Sequence, residues 1–434
     1  MHIKTKALLP AGLLAAALVG AACAPPPAKP PVKPPVSGKP PVTTTKPPVT
    51  PPPPSCPTPA ANTNPGPDSQ NPISSWGVDG TAYTSVVIGN VVYVGGSFSN
   101  AVAPNGTKVA RSNLAAFCIA NGTLDTSFVA NFNGPVYALT TDGSSLFAGG
   151  LYSTLNGLTA NRLVKLSAST GARFTNFNAP TIPVGKPVAA LDYSGGKVYV
   201  GGDFSVGAPV SGKKGMSVNS TTGAQGSWNP NVTDVTSGAT INALKVSPDG
   251  QSVFIGGKFD TVGGQTHDDL AKTSASTGAV SSVQYGDNGG VPGHMDARVL
   301  SIAVDPDNTT IYVSAGPTEP QGSGLNGGNK LYRFAADGTP TWHQTFNGDN
   351  QAVVLTSGKL YSGFHGGFNN NVTLRVVGFT TNGGALAPPF APASGGVIGV
   401  RGLALGSGGN RLVAVGDFSN MGSTGKLHGV AIFN

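Results

Sequence analysis

The chain has 434 residues, only 10% of them charged, and Glu319 is the single glutamate among 19 acidic residues. Beyond the N-terminus no run of Glu, Lys, Leu and Ala falls at helical spacing, which excludes a helical bundle and favours short strands with tight turns. The formal net charge of +7 is local: without the six lysines of residues 1–60, which hold no acid, 20 basic residues face 19 acidic ones, and a nucleic-acid-binding surface is excluded.

The first segment, "MHIKTKALLPAGLLAAALVGAAC", has two lysines, a Leu/Ala/Val run and then small residues. That is the layout of a secretory signal over residues 1–23. The apolar run is too short and too interrupted for an ordinary membrane-spanning helix. A cysteine directly after small residues resembles a bacterial lipobox, with Gly20 where leucine is usual. It implies a lipid on Cys23 and a cell-surface, membrane-anchored protein. Plain cleavage at Ala22-Cys23-Ala24, giving an extracellular protein, is the alternative.

Residues 24–65 form a proline-rich linker. Proline at this density joins neither helix nor sheet and favours polyproline II, so Ala24 to Pro54 spans up to roughly 100 Å. A disordered linker and a wall-crossing stalk are both compatible with this, and both require export. Either route of processing leaves Cys56 and Cys118 as an even pair in an oxidising compartment, which predicts a disulfide that ties the end of the linker to the following domain.

Residues 66–434 are repetitive. "VYVGGSF" at Val92 returns as "LFAGGLY" at Leu146, "VYVGGDF" at Val198 and "VFIGGKF" at Val253. Weaker copies are "IYVSAGP", "LYSGF" and "LVAVGDF". The markers Gly95, Gly149, Gly201, Gly256, Ser314, Gly363 and Val415 are separated by 54, 52, 55, 58, 49 and 52 residues. A period near fifty means one supersecondary unit, copied. Each copy reads as four short antiparallel strands. The first is of the type "VYALTT", the second is the Gly-Gly motif, the third is of the type "NRLVKLS", and the fourth bears an aromatic such as Phe128, Trp228 or Trp342. Four antiparallel strands in seven copies predict an all-β, seven-bladed β-propeller. Tyr and Val of "VYV" then lie on opposite faces of a buried strand, and the glycines remove side chains where sheets crowd or the strand bulges. The last copy ends on its third strand, "LHGVAIFN", so residues 72–77, with Trp76 in the aromatic position, are expected to complete it. The Gly pairs lack the strand-loop-helix context of a phosphate-binding loop.

"VGGSF", "LNG" at Leu155, "NRLVKL" at Asn161 and "NGTLDTSF" at Asn121 resemble the delta-sixty repeat, a propeller family of largely uncharacterised function. The resemblance covers roughly residues 70–434, is strong in copies one, two and four, and fades in copies five and six. It implies the propeller fold and a secreted or surface setting, and it supplies no catalytic motif.

In such a repeat the hairpin turns share one face, and the longer loops share the other with the crossovers. Rigid strands beneath variable loops are the usual arrangement for binding. Copies four and five place the densest ionisable groups there: His267, Asp268, Asp269, His294, Asp296, Arg298 and Glu319. A metal or acid/base site and plain turn capping are the two readings. The spacing matches no metal-ligand template, no nucleophile is paired with a base, and no cofactor is implied, so turn capping is favoured. Two function classes follow. One is a monomeric, non-catalytic binding or scaffold module for an extracellular protein or a neutral glycan, in contact with a membrane only through a lipid anchor. The other is a glycoside hydrolase or lyase acting on wall or matrix polysaccharide, which needs two carboxylates about 5–10 Å apart in a cleft.

Overall fold

The computed structural model describes residues 56–60, 66, 67, 69–207, 212–234, 238–286, 295, 297–317, 329–396 and 399–434. The signal segment with Cys23, most of the linker, and His294, Asp296 and Glu319 lie outside the described residues. Among the described residues the protein is all-β apart from one 3-10 turn at Ser407–Gly409. No helix there is long and apolar enough to cross a membrane.

Among the described residues there are eleven antiparallel sheets; four are small, and the other seven, which hold the repeated motif, follow one another along the chain. Their first strands are Thr81–Ile88, Val136–Thr141, Val188–Ser194, Thr240–Val246, Arg298–Val304, Asn350–Thr356 and Gly399–Leu405. In each, the first strand pairs with the Gly-Gly strand and that with a third strand. The fifth sheet extends to a fourth strand, Pro340–Thr345. In sheets one to four and in sheet six the expected fourth strand is reduced to a single bridge, such as Phe117 to Leu124 or Thr273 to Val280. The chain curls away after one pair because its next task is to bury an aromatic: Phe128, Phe177, Trp228 and Tyr285 are each at most 2% exposed.

Burial follows from alternation. In the first sheet Val92 and Val94 join the cluster shared with the seventh sheet, while Tyr93 joins the cluster shared with the second. In the fourth sheet Val253 and Ile255 face the third sheet and Phe254 faces the fifth. All seven apolar clusters are of this kind, each shared by two neighbouring sheets, and one of them joins the seventh to the first. The tyrosine hydroxyls find partners in the next repeat: Tyr93 donates to the Ala168 carbonyl at 2.6 Å and Tyr199 to that of Ala275 at 2.9 Å.

The two glycines of each pair have different causes. A Cβ on Gly95 would stand 2.7 Å from Val136 Cγ1, and one on Gly201 would stand 2.5 Å from Ile241, in each case on the next sheet. Gly149 meets Val188, Gly256 meets Val299 and Gly363 meets Val400 in the same way. The second glycine faces its own sheet: a Cβ on Gly96, Gly150, Gly202 or Gly257 would strike the carbonyl oxygen of Thr81, Pro135, Pro187 or Thr240. The first glycine therefore sets the spacing between sheets, and the second lets two strands meet at a bulge.

The N-terminal stretch runs beside the last strand. Ile73 donates its N–H to the Ile432 carbonyl at 2.9 Å, and Ser75 Oγ donates to that of Val430 at 3.0 Å. Ile73 and Trp76 lie half-buried against the cluster between the seventh and first sheets. The expected equivalence of Trp76 with Phe128 is two residues out of step. Asp79 accepts the N–H groups of Ser99 and Asn100 as Asn133 accepts those of Ser153 and Thr154. Counted back from that pair, Trp76 matches Ala130; Ser74, which the same count sets opposite Phe128, is exposed, and the half-buried Ile73 packs on the cluster instead.

Cys56 and Cys118 form the expected disulfide. Cys118 pairs with Val91, at the hairpin-turn end of the first sheet. The residues after Cys56 stay at that end. Asn90 Nδ2 approaches Thr58 Oγ1 at 3.5 Å, Arg411 donates to the Ala60 carbonyl at 3.2 Å, and Gly66 donates to the Gly409 carbonyl at 2.8 Å. Asn90, Arg411 and Gly409 all belong to turns between first and second strands.

Candidate functional site

The seven first strands share a defect. Each ladder with its Gly-Gly strand slips by one residue, between Ala82 and Thr84, Val136 and Ala138, Val188 and Ala190, Ile241 and Ala243, Val299 and Ser301, Asn350 and Ala352, and Val400 and Gly402. The extra residues are Tyr83, Tyr137, Ala189, Asn242, Leu300, Gln351 and Arg401. A bulge re-aims the side chain of its extra residue. All seven line one central cavity of about 230 Å³. They lie near the starts of their strands, so the cavity opens on the long-loop face, opposite the end where Cys56 is fixed.

Beneath this rim stands a row of small residues, among them Ala138, Ala190, Ala243, Ala352 and Gly402. Deeper still are the aliphatic side chains of Leu139, Leu191, Leu244, Ile302 and Leu403. Ser85 stands where the second sheet has Leu139, and its buried hydroxyl has no partner among the described residues.

One sector of the rim is ordered by its own contacts. The Tyr83 and Tyr137 rings are 5.2 Å apart and tilted by 49°. The Arg401 guanidinium sits 5.6 Å from the Tyr83 ring centroid, and Arg401 Nε donates to Asp417 Oδ2 at 2.8 Å. Cation–π attraction and the carboxylate together hold the guanidinium at the mouth, with its charge offset. Burial, and then the neighbouring Tyr83, push the Tyr137 phenol above its ordinary range, so it stays a hydrogen-bond donor at neutral pH. Across the mouth Asn242 Oδ1 accepts from Thr240 Oγ1 at 3.3 Å, and Gln351 Nε2 donates to Asp349 at 3.3 Å.

The described residues singled out by charge, His267, Asp268, Asp269 and Arg298, are not among those lining the cavity. Asp269, at φ 61°, holds the turn after "VFIGGKF". It accepts the Phe259 N–H through Oδ1 and returns its own N–H to the Phe259 carbonyl, both at 2.9 Å. Asn113 does the same for Phe98 in the first sheet, at φ 67°. Burial pushes the Asp269 carboxyl up to about 8, with the carboxylates of Asp268, Asp260 and Asp234 adding to the rise and the Phe259 N–H opposing it. His267 is fully buried, and neither ring nitrogen has a partner among the described residues. Its backbone N–H reaches Asp260 as those of Ala160 and Leu427 reach Ser153 and Ser419, so it fills a place that other copies give to an apolar side chain. Burial lowers its pKa and keeps it neutral. Arg298 opens the fifth first strand, two residues before Leu300 of the rim, and its buried Nε has no partner among the described residues. No group of three or more His, Cys, Asp or Glu side chains is placed to hold a metal ion among the described residues.

No protein-family model matches the chain, and no curated protein matches it. Among solved structures it is similar to the extracellular domain of BT4673, a suggested one-component system of B. thetaiotaomicron, with TM-score 0.50 and 10% identity over 85% of this chain. The match covers 40% of that longer chain. A likeness at this identity speaks for the β-rich fold alone.

Proposed function

We propose that residues 66–434 are a seven-bladed β-propeller of the delta-sixty repeat type, closed by the N-terminal stretch beside the last strand. On this reading the protein is exported and acts as a non-catalytic binding module, presented on the proline-rich linker and anchored through Cys23 where that residue is lipidated. Its partner is an extracellular protein or a neutral glycan. The observation that carries the proposal is the ring of seven bulge residues around one cavity. A repeated backbone device presents seven side chains of six different kinds at one mouth, which is how a rigid scaffold supports recognition. The disulfide supports the same reading, because it fixes Cys56 at the end of the strands opposite the mouth. No carboxylate lines the cavity among the described residues, whereas glycoside hydrolysis is built on a pair of them.

The test is to present the purified full-length protein with wall and matrix polysaccharides and with exported proteins, and to measure retention and product release together. Retention without product is the expected result. Product formed by the wild type and lost on replacing Asp268 or Asp269 overturns the binding-module reading in favour of the enzyme.

A further inference from the structure

We infer that the mouth takes the terminal sugar ring of a neutral glycan, end-on, in the sector formed by Tyr83, Tyr137, Arg401 and Ser85. This rests on the glycan arm of the function proposed above and names its recognition element.

Size is the first argument. The cavity of about 230 Å³ is smaller than the pockets of roughly 300–1,000 Å³ that hold ordinary organic ligands. Space for one ring suits the end of a chain rather than an internal stretch.

Chemistry is the second. A hexose presents a C–H face and a rim of hydroxyls. Tyr83 and Tyr137 offer tilted aromatic surface for the former. Around them stand donors and acceptors of the kinds a hydroxyl pairs with: two phenols, the Arg401 guanidinium, and the Asn242 and Gln351 amides. The Ser85 hydroxyl is buried in the cavity wall without a partner among the described residues, and an orphaned buried hydroxyl is costly unless a ligand or water meets it. It lies two residues along the same strand from Tyr83, on the aromatic side of the cavity.

Charge is the third. Asp417, 2.8 Å from Arg401 Nε, offsets the one cation that lines the cavity among the described residues, so the mouth selects by shape and hydrogen bonds rather than by a field. An anionic sugar gains nothing over a neutral one.

The experiment measures binding of cellobiose, mannobiose and galactobiose, of the corresponding trisaccharides, and of digalacturonic acid as the anionic control, to the full-length protein by calorimetry and ligand-observed NMR. At least one neutral disaccharide is expected to bind, its trisaccharide no more than threefold tighter, and digalacturonic acid no tighter. Tyr137→Ala is expected to weaken binding at least tenfold. Tyr137→Phe and Ser85→Ala keep the packing, do not lower the melting temperature, and each weaken binding severalfold, so a folding defect in Tyr137→Ala does not decide the result. Glycan binding that survives all three changes places the site on the outer loops and overturns the inference while the binding-module reading stands. Binding by an exported protein with no neutral sugar bound overturns the glycan assignment in the same way. Absence of any partner sinks the function proposal itself.

Discussion

The joint between the fourth and fifth sheets and the joint between the fifth and sixth solve one packing problem in two ways. At the first, Gly256 leaves room for Val299 of the next sheet, and the contact is wholly apolar. At the second, Ser314 stands in the glycine's place and Asn350 in the valine's. Asn350 Oδ1 accepts from Ser314 Oγ at 3.0 Å and from Ser362 Oγ at 2.8 Å, with all three residues fully buried. The closing joint offers a third solution, since Val415 replaces the glycine and the facing residue shrinks to Ala82, both in one apolar cluster. What is held constant is the summed size and polarity of the facing pair, not the identity of either member.

The largest effect comes from breaking the regular joint. Gly256→Val sets a branched side chain against Val299, for an expected loss of about 3 kcal/mol. Adding Val299→Ala recreates the Val415–Ala82 arrangement and should recover more than half of that loss, a coupling that a double-mutant cycle measures by denaturant unfolding. A double variant no more stable than Gly256→Val alone would show that the pair is not the unit of packing.

A smaller effect, with a change of sign, is expected at the polar joint. Asn350→Val alone leaves the Ser314 and Ser362 hydroxyls buried without their acceptor and should cost about 1–3 kcal/mol. Combined with Ser314→Gly and Ser362→Ala it restores the Gly–Val contact, leaves no hydroxyl of the trio orphaned, and removes the Asn350 Nδ2 group, which is buried without a partner among the described residues. The triple variant should therefore be at least as stable as the wild type, by about 1 kcal/mol. If it melts below Asn350→Val, the polar trio contributes more than its apolar replacement does.

These joints explain what the sequence reveals and what it hides. The Gly pairs are legible because steric crowding fixes them at a constant offset, and so the period and the all-β class can be read from letters alone. Cys56 and Cys118 are legible by elimination. Trp76 misleads because size alone suggests the Phe128 place, whereas the Asp79 turn sets the true offset. The rim is harder to find. Tyr83, Tyr137, Ala189, Asn242, Leu300, Gln351 and Arg401 have no one chemistry in common, and what unites them is a backbone slip. The available signal is their place between two repeated small or apolar residues, as in Val136-Tyr137-Ala138 and Ile241-Asn242-Ala243. His267 and Asp269 drew attention because they ionise, yet their counterparts Leu427 and Asn113 do the same structural work uncharged.

That last correspondence gives the smallest and most specific prediction. In the fourth sheet Asp269 does for Phe259 what Asn113 does for Phe98, but as an acid whose folded-state pKa is about 8 against an ordinary 3.8. A carboxyl raised in this way favours the folded state while it is protonated. The contribution is complete below about pH 4 and is lost as pH rises through about 8. Asp269→Asn keeps the oxygen that accepts the Phe259 N–H and removes the titration. It should change the melting temperature little at pH 4 and raise stability by about 1 kcal/mol or more at pH 9. The wild-type curve should slope downward between those limits, and the variant's should slope less. Parallel curves would mean that Asp269 does not titrate in that window, and that its neighbours Asp268, Asp260 and Asp234 leave it charged in the folded protein.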